Sequence, residues 1–85
     1  MKWRYAVSYG KMKPGWTTEQ IEKDMEKYKA EVEKAGVKLV FWGHPLGVSE
    51  NIMAVYDVGK TMDNWLKIMA TAPYTDTRTH FVVEH

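Results

Sequence analysis

The sequence contains no cysteine, and this absence excludes several kinds of site at once. Without cysteine there is no disulfide, thiolate metal ligand, iron–sulfur cluster or cysteine nucleophile, so packing alone must hold the fold. The sequence also lacks any apolar run approaching the ~20 residues that a membrane-spanning helix needs. We therefore expect a soluble protein with an ordinary hydrophobic core and no membrane partner.

An excess of charge of one sign is lacking too. Lys and Arg total 12 while Asp and Glu total 11, which gives a formal net charge of +1. This balance creates no field strong enough to gather polyanions, so nucleic acid is not expected as a partner. The glycines form neither GxGxxG nor a phosphate loop, which argues against nucleotide binding. The N-terminal segment turns polar at Ser8 without building the apolar region of a signal peptide, so the expected location is cytoplasmic.

What the chain does have is enough apolar residues for one core and more aromatic residues than such a core needs. Hydrophobic residues make up 45% of 85 residues. A chain of this length has room for a single core, so we predict one domain over residues 1–85. Aromatic residues reach 13%, with four Trp and five Tyr. This surplus of aromatic residues indicates that some of the rings line a surface or a cavity.

Hydrophobic periodicity divides the chain into six elements. Alternation with a period of two predicts a strand from Trp3 to Gly10. Thr17 and Gln20 have capping-box spacing at the start of a helix that Gly36 ends. The remaining predictions are strands over 37–43 and 51–58, a helix over 61–72 with Thr61 as its cap, and a strand over 75–84. This βαββαβ order, with right-handed crossovers, predicts the ferredoxin-like α+β fold: a four-stranded antiparallel sheet with two helices on one face.

Both faces of this sheet are expected to be apolar. A sheet with one solvated face should be polar at every second residue, and two of the strands are not. The second strand offers Leu39 and Phe41 on one side and Val40 and Trp42 on the other; the third offers Met53 and Val55 against Ile52, Ala54 and Tyr56. Since two helices cover only one face, we infer a homodimer through the open sheet face.

The loop over residues 43–51 carries the first candidate for catalysis. His44 leads the loop, and Glu50 and Asn51 end it. A histidine near a carboxylate is suited to general base chemistry, with Glu50 orienting the ring and Asn51 holding a substrate oxygen. The alternative is structural: His44 merely leads the loop, and Glu50 caps backbone groups.

The second candidate is a ligand cavity lined by strand aromatics. Tyr5, Trp42 and Tyr56 lie on strands expected to be neighbours, and Asn51 and His80 supply polar groups of the kind that orient small organic ligands. Buried tyrosine hydroxyls need partners, which favours a cavity holding water or a ligand. The alternative is that these rings and His80 only pack in the core or the dimer contact. The three histidines lack metal-ligand spacing, so neither a metal nor a cofactor is expected.

The whole chain resembles the dimeric α+β barrel superfamily, through its βαββαβ order and the segment Gly43 to Asn51 followed by Ile52-Met53-Ala54-Val55-Tyr56. That superfamily includes antibiotic-biosynthesis-type monooxygenases, haem-degrading enzymes and muconolactone-isomerase-like proteins. The resemblance implies a dimer of ferredoxin-like chains and leaves the activity open. From the candidate residues above, we expect the dimer to bind or convert a small hydrophobic or aromatic metabolite without a cofactor. Haem-degrading members carry an iron-binding histidine on the second helix, and the predicted helix over 61–72 has none. The alternative function is a non-enzymatic dimerisation or regulatory module.

Overall fold

A computed structural model describes residues 3 to 85 of the chain. The six elements follow the predicted order: β1 (Trp3–Lys11), α1 (Thr18–Lys34), β2 (Lys38–Gly43), β3 (Ile52–Asp57), α2 (Met62–Met69) and β4 (Thr75–Val83). The strands form one antiparallel sheet in the order β2-β3-β1-β4. The predicted α+β class is confirmed, and the arrangement is compatible with the ferredoxin-like fold.

Local signals at both ends explain where α1 begins and ends. The Thr17 hydroxyl accepts a hydrogen bond from the Gln20 amide at 3.1 Å, which confirms the predicted N-cap. At the other end Gly36 has a φ of +82°, a left-handed conformation that suits glycine. The Val37 amide then donates back to the Val32 carbonyl at 3.1 Å, completing a Schellman motif that turns the chain into β2.

The core lies between the helices and one face of the sheet. From α1 the buried side chains are Ile21, Met25, Tyr28 and Val32, and from α2 it is Trp65. They meet the alternate residues of β1 and β3 that are buried: Ala6, Ser8, Gly10, Ile52, Ala54 and Tyr56. We call this side of the sheet the helix face.

The other side, which we call the open face, is defined by the residues that alternate with these and by their cross-strand partners. It includes Tyr5, Val7, Tyr9, Lys38, Phe41, Met53, Val55, Asp57, Arg78, His80 and Val82. All of these side chains are half-buried or exposed. Within residues 3 to 85, both helices pack on the opposite side of the sheet.

The predicted division of β2 into two faces is wrong beyond Leu39. A bulge at Val40 shifts the register, because Leu39 pairs with Tyr56 whereas Phe41 pairs with Val55. One extra residue in a strand reverses the side to which the following residues point. Phe41 therefore lies on the open face, and the next residue, Trp42, returns to the helix face beside Ala54.

The cap predicted for α2 differs as well. Thr61 occupies the N-cap position, but its hydroxyl donates to the Val58 carbonyl at 3.0 Å and not to the helix. Its φ of −116° and ψ of 26° lie outside the extended region that a capping residue usually adopts. The helix is held instead by Trp65, which is 3% exposed and packs into the core.

Neither helix in the described part of the chain is both long and apolar enough to cross a membrane.

Candidate functional site

The most concentrated group of chemically active side chains lies on the helix face. The phenol oxygen of Tyr28 is 3.0 Å from that of Tyr56, which is 2.8 Å from that of Tyr74. Tyr74 donates to the Ser8 hydroxyl at 3.0 Å, and Ser8 donates to a carboxylate oxygen of Asp76 at 2.9 Å. We call these five residues the hydroxyl chain. It leads from the interior of the core to an exposed carboxylate at the start of β4.

Four parts of the fold position the hydroxyl chain: α1, β1, β3 and the segment that leads into β4 and forms its start. Tyr28 comes from the buried stripe of α1, Tyr56 from β3 and Ser8 from β1. Tyr74 precedes β4, and its ring lies where a side chain at Gly10 would be, because a Cβ there would collide with the ring. A glycine in the middle of a strand thus has a packing role here: it admits a tyrosine close to the β1 backbone.

Burial dominates the electrostatics of the three tyrosines. It raises the pKa of Tyr28, of Tyr56 and of Tyr74 above the ordinary value of 10.0, because a phenolate loses its hydration in the core. All three phenols are therefore neutral near pH 7. Each has a single proton to donate and oxygen lone pairs that accept.

Counting these protons fixes the direction of every hydrogen bond in the chain. Ser8 donates its one proton to a carboxylate oxygen of Asp76, so the one proton of Tyr74 goes to Ser8. Tyr56 must then donate to Tyr74, and Tyr28 to Tyr56. All four protons point toward Asp76. The oxygen of Tyr28 is left free to accept from a further group. The Met69 sulfur, 3.5 Å away, can only accept, so it is a weaker alternative acceptor for the Tyr28 proton.

Trp65 adds a second polar group to the same layer. Its ring packs against Tyr56 and Phe81, with centroid distances of 5.9 and 5.5 Å. Its Nε1 is buried and has no hydrogen-bond acceptor among residues 3 to 85. Leaving a buried donor without an acceptor is costly, so this N–H is a position where a ligand oxygen or a water would be stabilised.

A separate cluster occupies the open face near the start of β4. The Arg78 guanidinium donates to both oxygens of Glu50, at 2.9 and 3.3 Å. It also lies 4.4 Å from the centroid of the Tyr9 ring. The His80 ring also contacts the Tyr9 ring edge-on, with 6.3 Å between the two centroids. The cluster combines a bidentate ion pair with a cation–π contact.

Glu50 is held as a carboxylate within this cluster. The hydrogen bond from the Thr77 hydroxyl, at 2.8 Å, is the largest influence, and Arg78 adds to it. Together they lower the pKa of Glu50 from 4.5 to about 2, against the opposing effect of burial. Ser49 donates a further hydrogen bond at 3.3 Å. The Glu50 oxygens are thus occupied by structural donors.

The predicted loop site is arranged differently from the expectation. The His44 Nδ1 lies 2.8 Å from the backbone oxygen of Asn51, and its ring packs edge-on against Trp42. The Asn51 side chain accepts from the Met12 amide at 2.9 Å, which ties the loop to the end of β1. Glu50 turns to Thr77 and Arg78, so the structure orients His44 through Asn51 rather than through Glu50.

The aromatic residues predicted to line one cavity are divided between the two faces. Trp42 and Tyr56 lie on the helix face, with Tyr56 inside the hydroxyl chain. Tyr5 and His80 lie on the open face, where they pair with Val82 and Val7 across the strands. The structure therefore separates this set by the thickness of the sheet.

Sequence reasoning missed most of the hydroxyl chain. The sequence patterns place Tyr28 only within the helix that Gly36 ends, and Asp76 only within the strand over 75–84. Tyr74 lies outside every predicted element. The available signal was Ser8, a polar residue at the alternating position that Ala6 and Gly10 share. A buried polar residue in a strand requires a partner, but the sequence does not identify which one.

Two further features complete the described surface. A cleft of about 220 Å³ lies between the end of α1 and α2, lined by Ala35, Asn64, Lys67 and Ile68. The Asn64 amide donates to the Ala35 carbonyl at 2.9 Å, which is a helix-capping role. Across residues 3 to 85, no three His, Asp or Glu side chains are grouped so that they could hold a metal ion.

Comparison with known proteins found no match to this chain among protein-family models, curated proteins or solved structures.

Proposed function

We propose that this chain acts as a homodimeric α+β barrel protein in which two copies pack through their open faces. The observation that carries this proposal is the composition of the open face, where apolar or aromatic residues occur on all four strands. Phe41 is 52% exposed and Val82 is 43% exposed on that face. A soluble monomer rarely leaves such a contiguous apolar surface in water.

The charges on the open face favour a second copy as the occupant. A two-fold contact brings each patch against its own copy, so unpaired like charges would repel. Here Arg78 is paired with Glu50, and Asp57 is paired with Arg4 at 3.0 Å within the same chain. Lys38, the cross-strand neighbour of Asp57, lies on β2 at the edge of the sheet. Because Arg78 and Asp57 are neutralised within the chain and Lys38 lies at the edge, this face is suited to contact an identical one.

Light scattering at micromolar concentration tests the dimer. We expect about 20 kDa, twice the 9.9 kDa of the chain, and about 10 kDa for Val55→Asp, which puts a charge in the centre of the open face. The matched control is Leu66→Asp, because Leu66 is an exposed apolar residue of α2 on the other side of the molecule. This variant should stay dimeric. A wild-type mass near 10 kDa, or an equal effect of both substitutions, would contradict the proposal.

We further propose that the dimer binds a small hydrophobic or aromatic metabolite in the layer between α2 and the sheet. The buried N–H of Trp65 supports this, because it would donate to a ligand oxygen. The neutral phenols of the hydroxyl chain lie in the same layer. Conversion of the ligand by cofactor-independent monooxygenase-like or isomerase-like chemistry is the enzymatic form of this proposal, and catalysis by His44 and Glu50 stays a prediction.

A thermal-shift screen tests ligand binding. Quinones, polyphenols and short acids are the probes, since a ligand that binds only the folded state raises Tm by mass action. The rise should be lost in Trp65→Phe, which keeps an aromatic ring and removes the N–H. It should persist in Trp16→Phe, a partly buried Trp at the start of α1. If no probe raises Tm in the wild-type dimer, the non-enzymatic dimerisation or regulatory module is the better description.

A further inference from the structure

The hydroxyl chain joins a buried acceptor to an exposed carboxylate through links short enough for proton transfer. Its four oxygen–oxygen distances lie between 2.8 and 3.0 Å. Proton transfer between oxygens requires this separation. The uniform order of the protons matters as much as the distances. A proton that arrives at the Tyr28 oxygen can be passed on only toward Asp76, because each hydroxyl already donates in that direction.

We propose that the hydroxyl chain is a proton relay that takes a proton from a weakly acidic hydroxyl, such as a phenol or an enol, at Tyr28 and delivers one to Asp76. The role of the ligand as proton source rests on the proposed binding function. The order of the hydrogen bonds rests only on the contacts within the chain.

The transfer balances along the chain. The ligand O–H bond breaks and a new O–H bond forms on Tyr28, whose original proton moves to Tyr56. The same exchange follows at Tyr74 and at Ser8, and the Ser8 proton bonds to the Asp76 carboxylate. Every intermediate hydroxyl ends with one proton, the ligand becomes an anion and Asp76 becomes neutral. The three phenols never become free phenolates, which their burial disfavours.

Asp76 is placed to receive this proton. It faces Ser8 from β1, Thr79 from β4, whose hydroxyl donates to its other oxygen at 2.9 Å, and the chain through Tyr74. Within the described residues none of the ion pairs involves Asp76, so no cation is fixed there to oppose protonation. Its exposure lets the proton pass on to water.

The relay makes a prediction that needs no ligand. When Asp76 is protonated, it can donate to Ser8, and the order of all the hydrogen bonds can reverse. Tyrosine labelled with ¹³C at Cζ reports such a change by NMR, and ¹³C at the Asp76 carboxyl reports the titration itself. On acidification, we expect the signals of Tyr28, Tyr56 and Tyr74 to shift together, with one shared midpoint.

Three variants separate a relay from an ordinary buried network. Ser8→Ala removes the link next to Asp76 and should abolish the response of Tyr28 and Tyr56. Asp76→Asn, which keeps the shape at the exposed end, should abolish it in all three tyrosines and serves if Ser8→Ala does not fold. Thr79→Val removes a hydrogen bond to Asp76 that is not part of the chain, so the response should persist.

The relay is overturned if Asp76 titrates in the wild type while Tyr28 and Tyr56 stay unchanged, or if their response is the same in Asp76→Asn. A failed ligand screen combined with a shared midpoint would count against the proposed ligand only.

Discussion

The helix face and the open face belong to the same sheet but satisfy their polar groups in different ways. On the helix face the polar atoms bond to one another in sequence, from Tyr28 to Asp76, and all of these residues except the exposed Asp76 are buried. On the open face Arg78 forms an ion pair with Glu50 and a cation–π contact with Tyr9. Apolar side chains of the same face are exposed. The first arrangement orders hydroxyl protons inside one chain. The second leaves a partly apolar surface, on which we propose that a second copy packs.

The largest expected difference comes from charging two adjacent residues of β3. Ala54 is fully buried on the helix face, whereas Val55 lies on the open face. Ala54→Asp buries an unpaired carboxylate in the core and should cost more than about 4 kcal/mol, enough to prevent folding of a small domain. Val55→Asp should keep the fold and lose the dimer. Circular dichroism and chemical denaturation distinguish the two, and equal loss of folding in both would remove the contrast between the faces.

The next comparison uses two substitutions, each of which removes one tyrosine hydroxyl from one face of the sheet. Tyr56→Phe leaves the Tyr28 and Tyr74 hydroxyls without their shared partner, and should lower the free energy of unfolding by about 1–3 kcal/mol. Tyr9→Phe is the matched control, because Tyr9 lies on the open face and contacts Arg78 through its ring. Its cost should stay within about 0.5 kcal/mol. Urea denaturation measures both, and equal costs would show that the hydroxyl chain adds nothing beyond packing.

A smaller effect concerns Glu50 and pH. The pKa of Glu50 in the folded chain is about 2, below its ordinary value of 4.5, so the charged carboxylate stabilises the folded state. This stabilisation is complete above about pH 4.5 and is lost as the pH falls through about pH 2. Glu50→Gln should lower Tm by several degrees at pH 7 and much less near pH 2. A variant with the same deficit at both pH values would contradict the assignment of Glu50 as a structural acceptor.

The smallest expected effect on stability is that of His44→Ala. His44 is exposed and bonds a backbone oxygen of the loop, so its loss should change the free energy of unfolding by no more than about 0.5 kcal/mol. If His44 is catalytic, turnover or binding of a probe found in the ligand screen should fall several-fold in a variant of unchanged Tm. Unchanged binding and turnover would leave His44 with its loop contact alone.

The sequence predicted the order of the elements because that order depends on local patterns. The period-two strands, the Thr17 cap and the left-handed Gly36 are all determined by residues close in the chain. The Val40 bulge was missed because it arises from pairing with β3 and leaves no mark on composition. The same limit applies to both clusters: Ser8 and Asp76 are 68 residues apart, and Glu50 and Arg78 are 28 apart. Such pairs are determined by strand register, which a single sequence does not reveal.

Isotope-filtered NMR tests the central claim, that the open face is where a second copy packs. A sample mixed from labelled and unlabelled chains shows only the contacts made between protomers. We expect these contacts to join the methyl groups of Val7, Val55 and Val82 of one protomer to the Phe41 and Tyr5 rings of its partner. Contacts between protomers that involve Leu66 of α2 and none of the open-face residues would contradict the account.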